Sequence, residues 1–476
     1  MKRLLAFCMA LGMVLSAAGC KSKTAATSDE IPTLIWYLNC SNQAGADAVL
    51  EKINERLVNE IGAKLQIKFI DPGAYNEKMN MNMASGTEFD LCFSGYVNNY
   101  SNAVKQGGLM QIKDIIDKEA PELWNLIPDY AWKSITVNDD VYAVPNVQLY
   151  AMPQALFIDK NMVEKYQFDY EAMKNINEIE PFLDKIKENE PDMYAYQPEF
   201  GVGPWVTDYE TIVTGFNELV VKKDDDKCKV VKRYETQEYI DGVNKLRDWY
   251  QNGYIRKDIS SADSSDAVSL ERTVSYASSY KPGVEADVKK QRGKDFVAKT
   301  LSANYVTSDL CLQTLTGISK TSKHPDKAVK LLYLLHSDKE LYNTLCHGIE
   351  GVHYKKIDDT FYAPIENSGY NPSRDWAFGN QFNSYLMEGK EKDVWEKSQD
   401  LNDSAKQSRL LGFNFNTEKV VNEISRCTAV LGEYKDLENG SVDVDTTLPR
   451  FSRKLQDAGI DVIIEELQKQ IDEFIK

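Results

Sequence analysis

The chain is rich in residues that grip a polar molecule and poor in motifs that break one. Aromatic residues make up 11% of it, with 26 tyrosines against 17 phenylalanines. A flat ring supplies contact area, and a tyrosine adds a hydroxyl that both donates and accepts. Position in the chain separates binding candidates from core. Trp205 and Tyr209 fall in 194–209 (YAYQPEFGVGPWVTDY), where glycine and proline break any periodic element. Asn39 and Tyr96 follow predicted buried strands, Tyr280 ends a later strand ahead of Pro282 and Gly283, and Trp376 follows the break at 369–372. Tyr150 sits in an extended passage where hinge packing competes with ligand contact. Glu350, in GIEGVHY, is placed to present a carboxylate from a turn. For each of these residues, packing in a loop or core is the competing reading.

The chemistry of catalysis is harder to find. The chain has no GxSxG, HExxH, Walker lysine loop or GxGxxG. Cys346, His347, Glu350 and His353 are metal-donor types, but their spacing fits no named site, and no CxxC occurs. No metal or cofactor is expected. With 73 acidic residues, a glycosidase-type carboxylate pair stays open as an alternative.

These candidates need a frame. Residues 31–38 (IPTLIWYL) read as a buried strand, 44–61 as an amphipathic helix and 64–70 (KLQIKFI) as an alternating strand. Residues 75–84 read as a helix and 89–94 as a third strand. Strand–helix–strand–helix–strand opens a mainly parallel α/β sheet, and such sheets bind ligands beyond the carboxyl ends of their strands. That points to the turns 39–42 and 95–100. Helix is also expected over 121–133, an Asn-Asp hairpin turn within 137–143, and an extended passage between lobes over 144–159. Beyond it come a hairpin over 218–231, an amphipathic helix over 238–250, and strand, helix and strand over 273–282, 284–292 and 295–301. From 325 onward helices dominate, including 325–335, 339–346, 381–408, 417–434 and 462–476, with a loop at 445–449.

The 476 residues imply two to three domains or one two-lobed body, with 42% hydrophobic content sufficient for a large core. A net charge of −17 argues against nucleic acid and against lying flat on anionic lipid. The first residues, MKRLLAFCMALGMVLSAAGC, place two basic residues before a short apolar run and then small residues before Cys20. The stretch resembles a bacterial lipobox, which implies removal of 1–19, lipid on Cys20 and a polar tether over 20–30. The usual leucine three residues before the cysteine is replaced by Ala17. The six remaining cysteines are widely and irregularly spaced and are expected to be buried free thiols.

Several strings together resemble the lipoprotein solute-binding proteins of ABC importers, in the sugar-binding class with an extra helical C-terminal region. They are 75–90 (YNEKMNMNMASGTEFD), 141–145 (VYAVP), 234–255 with its LRDWYQNGYI, 317–354, 375–380 (DWAFGN) and 454–474. Their order covers nearly the whole chain. The resemblance implies an α/β, two-lobed, periplasmic-binding-protein-like (type II) fold with a helix-rich C-terminal region. The expected first lobe is 31–148 with 270–305, and the second is 149–269 with 306–380. Residues 381–476 are expected to pack on both. The implied function is non-catalytic capture of a small polar solute, with an oligosaccharide foremost, by closure of the lobes. The solute then passes to ABC permease subunits. A monomer held to the outer face of the membrane by its lipid is implied, and a ligand sensor of the same fold is the other reading.

Overall fold

A computed structural model of the chain describes residues 31–96, 100–213, 215–262 and 267–476. The expected signal, the lipidated Cys20 and the tether lie outside the described residues. The strands that build the lobes are β1 (Thr33–Asn39), β2 (Lys64–Ile70), β3 (Leu91–Gly95), β4 (Ala143–Pro145), β5 (Gln154–Asp159), β6 (Tyr209–Val213), β7 (Phe216–Lys222), β8 (Val230–Lys232), β9 (Ser275–Ser279), β10 (Phe296–Thr300), β11 (Tyr305–Val306) and β12 (Thr314–Ile318).

The first sheet has the order β2-β1-β3-β12-β4. Its first three strands are parallel and β12 runs antiparallel to both neighbours. Helix Ala46–Glu60 returns the chain from β1 to β2, burying Val49, Ile53 and Leu57 at helical spacing. Helix Pro72–Ser85 returns it to β3, capped by Asp71, whose carboxylate accepts from the Gly73 amide. The buried Tyr75 on that helix donates its hydroxyl towards the carbonyls of Tyr37 and Phe93, 3.1 and 2.8 Å away, tying the helix to the edges of β1 and β3.

A second core forms around β5, which lies between β10 and β9 in an antiparallel sheet, and around the β6-β7-β8 hairpins. Two expected assignments are therefore exchanged. Residues 270–305 belong to the second lobe, because β9 and β10 both pair with β5. Residues 306–380 belong to the first lobe, because β12 pairs with β3 and β4 and helix Pro325–Ser337 enters the first core. Strand patterns reveal strands but not partners, and β9 and β12, five residues each, are short enough to fit either sheet.

The C-terminal region departs from expectation in three places. Residues 381–408 are not one helix: only Val394–Asp403 is α-helical, after a short strand at Leu386–Met387. The expected loop at 445–449 lies inside helix Val444–Ala458, where the Asp443 side chain caps the amide of Thr446 and Pro449 stands within the helix, giving up one i→i−4 hydrogen bond. The helix expected at 121–133 is two short ones, Leu123–Leu126 and Asp129–Ile135, divided around Pro128. Helices Val421–Glu433, Val444–Ala458 and Ile460–Phe474 pack on the second lobe rather than on both, burying Cys427, Phe451, Leu455, Ile463 and Leu467 in its core. The six described cysteines are free and buried.

The chain crosses between the cores around 146–153, 301–306 and 404–411. β11 pairs in parallel with Lys406–Gln407, so two crossings run side by side. The buried Asn402 fastens the first crossing: its Oδ1 accepts from the amides of Tyr150 and Ala151 at 2.8 and 3.1 Å, and its Nδ2 donates to the Gln148 carbonyl at 2.8 Å.

Candidate functional site

The carboxyl ends of β1 and β3 deliver Asn39 and Tyr96 to one place. Asn39 is 4% exposed, its Nδ2 donates to the Tyr96 hydroxyl at 3.3 Å, and its Oδ1 has no partner among the described residues. Tyr96 follows Gly95, where a Cβ would lie 2.0 Å from the Gln313 carbonyl oxygen. Only glycine lets β3 approach β12 so closely, and the Tyr96 amide then donates to that same carbonyl. The Tyr96 ring is left 49% exposed. Trp376 arrives from the loop after Pro372, its ring 6.1 Å from that of Tyr96, and both rest edge-on against Phe93 at 5.9 Å. Arg374 covers the Trp376 ring at 4.9 Å. Three of the sequence candidates, Asn39, Tyr96 and Trp376, thus form one aromatic and amide platform on the first lobe.

Two cavities adjoin this platform, and a third continues from one of them. One of about 570 Å³ lies between Arg374 and Trp376 on one side and Lys281, Pro282 and Lys290 of the second lobe on the other. One of about 250 Å³ connects Tyr96 and Gln313 to Glu210 and Thr211. The third, about 690 Å³, extends along the crossings past Gln154, Phe200, Tyr209 and Ser302. Residues of both lobes line the first two, so this is a cleft between lobes, the arrangement that suits a hinged binding protein.

The other candidates fall elsewhere. Tyr280 is half-buried beside the first cavity, its amide donating to the Pro153 carbonyl at 2.7 Å, and its neighbours Lys281 and Pro282 line that cavity in its place. Tyr209 lines the third cavity, with its hydroxyl held by Glu238 at 3.1 Å. Trp205 packs 5.6 Å from Trp249 and donates Nε1 to Asn177 at 2.9 Å, lining none of these cavities. Besides Tyr209, the stretch 194–209 presents Phe200, 40% exposed, to the third cavity. Tyr150 is 1% exposed, with its hydroxyl on the Asn146 carbonyl, so it packs the crossing. Glu350 is exposed in a turn bridged to Tyr354, away from these cavities. The sequence reading missed Arg374, whose proximity to Trp376 was the available signal, and Asn402, whose role depends on contacts more than 250 residues apart.

One buried carboxyl stands at the junction of the second and third cavities. Glu210 is 6% exposed and accepts from the Ser408 hydroxyl at 2.7 Å. Burial pushes it up to about 7, although that hydrogen bond and nearby Lys223 pull the other way. The folded state therefore holds this proton more tightly than the unfolded chain, and stability falls as pH rises from about 4.5 through 7. Glu210→Gln keeps an acceptor for Ser408 without a charge. Chemical unfolding should show the variant about 1–3 kcal/mol more stable than the parent at pH 8 and equal to it at pH 4.

Residues 44–340 match the family model described as bacterial extracellular solute-binding protein. The chain belongs to that family. Its members bind solutes rather than transform them, so the protein is not an enzyme and the glycosidase alternative is set aside. Residues 409–476, which complete the second lobe, match a domain of unknown function. Among relatives, a carbohydrate ABC transporter substrate-binding protein of Streptococcus pneumoniae serotype 4 is 28% identical, covering 98% of this chain and 96% of the relative. The polygalacturonan/rhamnogalacturonan-binding protein YtcQ of Bacillus subtilis strain 168 is 23% identical over 78% of this chain and 77% of its own. The crystal structure of the N-glycan transport solute-binding protein NgtS of S. pneumoniae is 27% identical, with a TM-score of 0.84 over 93% of this chain and 99% of its own. Its complex with Man1GlcNAc gives 0.74 at 26% identity over the same shares. These likenesses establish the two-lobed solute-binding fold and the extracellular class of protein.

Proposed function

We propose that this protein captures an oligosaccharide between its lobes outside the cell and delivers it to an ABC importer. The observation that carries this reading is the Asn39–Tyr96–Trp376 platform at the carboxyl ends of the first sheet, facing the second lobe. Sugars present apolar C–H faces and a ring of hydroxyls, which exposed aromatic rings and planar amides complement. Relatives named for carbohydrate transport and N-glycan binding support that ligand class. The unpartnered Oδ1 of Asn39 is an acceptor suited to a sugar hydroxyl.

Capture works by population shift. A ligand that touches both lobes only when they are closed favours the closed form by its differential affinity. The likeness to NgtS is lower for its Man1GlcNAc complex, at a TM-score of 0.74, than the 0.84 of the other NgtS structure. Trp376, Tyr96 and Asn39 are the first-lobe contacts in this reading, and Phe200, Tyr209 and Lys281 are those of the second lobe.

The test is calorimetric titration of the chain from residue 21 with a panel of oligosaccharides, peptides and amino acids. Saturable binding to an oligosaccharide at one site is expected. Binding confined to peptides or amino acids would overturn the ligand class.

Lipid on Cys20, a monomeric state and ABC permease subunits as partners complete the proposal. Cells supplied with labelled palmitate should incorporate label into the parent chain and lose all of it in Cys20→Ala, with that variant released to the medium. Equal labelling of the two would contradict the anchor.

A further inference from the structure

The cavity beyond Trp376 carries a charge opposite to that of the chain. The whole sequence has 56 basic and 73 acidic residues. Lining this cavity, however, Lys281, Lys290, Arg374 and Lys390 face only Asp287 and Asp375. Lys281 and Lys390 share the single carboxylate of Asp287, at 3.5 and 3.0 Å. The Asp375 carboxylate accepts from the Trp376 amide at 3.1 Å and from the Gln381 amide group at 3.2 Å. Lys290 and Arg374 form no ion pair among the described residues. His347 in the same wall is buried and stacked on Tyr362 at 4.0 Å, and burial pulls it down to about 4, so it adds no charge near neutrality. The cavity on the other side of Tyr96 is the reverse: its charged lining residues are Glu210 and Asp309. The two cavities that adjoin the platform are thus lined by opposite charges.

Geometry narrows what the basic end is for. Arg374 lies over the Trp376 ring, so a cation–π contact keeps it beside the sugar platform. A planar guanidinium pairs with a carboxylate through two parallel hydrogen bonds. Lys290 and Lys281 stand on the other lobe, on and before helix Val284–Arg292. An anion in this cavity is therefore touched from both sides of the cleft, and closure neutralises positive charges that would otherwise be pressed together. A purely neutral ligand would leave that repulsion in place.

We propose that this cavity is the subsite for a sugar acid, whose carboxylate is held by Arg374 and faced by Lys290 and Lys281. The neutral, hydroxyl-rich part of the oligosaccharide then runs past Tyr96 towards Glu210 and Asp309, whose carboxyl groups hydrogen-bond to hydroxyls. This rests on the oligosaccharide reading and adds direction and chemical class to it.

Matched pairs of oligosaccharides test it: oligogalacturonides and glucuronate-capped oligosaccharides, each beside the same molecule with its carboxylate reduced to an alcohol. Calorimetric titration should give the acid member an affinity about tenfold or more above its neutral partner, with the ratio shrinking as salt is raised. Arg374→Gln and Lys290→Gln should each lower that ratio severalfold. Lys290 is exposed, so its variant reads the charge without risk to the fold, and melting temperature controls for Arg374→Gln. Equal affinity within every pair, preference for the neutral members, or an acid preference untouched by both substitutions would overturn the subsite while leaving oligosaccharide capture intact. Binding of peptides and of no saccharide would instead overturn the oligosaccharide reading on which the subsite rests.

Discussion

Replacing Trp376 by alanine should weaken oligosaccharide binding by about 30- to 150-fold, the equivalent of about 2–3 kcal/mol. The ring does three things at once. It offers a face to a sugar, it supports Tyr96 from 6.1 Å, and it carries Arg374 at 4.9 Å. Losing it removes a stack worth about 0.5–1.5 kcal/mol beyond burial, and also the contact area and the order of its two neighbours. The fold should tolerate the change, because Trp376 is only partly buried at the edge of the first core. Trp205→Ala makes the contrast. That ring rests on Trp249 and on Gly242, where an added Cβ would lie 3.2 Å from it. Its loss should lower stability by about 2–4 kcal/mol and leave affinity within twofold. Titration and chemical unfolding of both variants check the pair of outcomes. A loss of affinity in Trp205→Ala with none in Trp376→Ala would mean that the second-lobe loop, not the platform, carries the ligand.

The second large effect is expected at the hinge. Asn402→Ala removes one side chain that satisfies three backbone groups of the first crossing, at Gln148, Tyr150 and Ala151. Buried amides and carbonyls stripped of partners cost about 1–3 kcal/mol each, partly relieved by water. A loss of about 3–5 kcal/mol in unfolding free energy follows. Asn402→Asp keeps the acceptor for Tyr150 and Ala151 and loses only the donor to Gln148, although it buries a charge near that carbonyl. It should fall between the parent and the alanine variant in unfolding free energy. A variant as stable as the parent would mean that the crossing is held by its own strand pairing alone.

Much of this architecture could be read from local pattern. Alternation in Lys64–Ile70 and helical spacing in Ala46–Glu60 need no partner to be recognised, because period reports the buried face directly. The pair Asn138–Asp139 takes positive φ at 52° and 60°, as a tight hairpin turn requires and as those two residue types permit. What pattern does not encode is destination. β9 was visible as a strand within 273–282, yet its place, like that of β12, depends on pairing across more than 100 residues, β9 with β5 and β12 with β3.

The site divides in the same way. Asn39 and Tyr96 could be placed at the cleft because sheet topology fixes where strands end. Trp376 could be suspected from its position after a chain break. Trp205 looked equivalent by composition, but a long-range contact with Trp249 decides its role, and no spacing announces it. Arg374 is a single charge in a loop, and it acquires meaning only from the ring beneath it.

Closure of the lobes on an oligosaccharide is the centre of the account, and small-angle X-ray scattering of the chain from residue 21 tests it most directly. With a saturating concentration of the oligosaccharide that binds most tightly in calorimetry, the radius of gyration should fall and the distance distribution should shorten. Trp376→Ala at that same concentration should stay open. Scattering that does not change although calorimetry shows the site filled would contradict capture by closure.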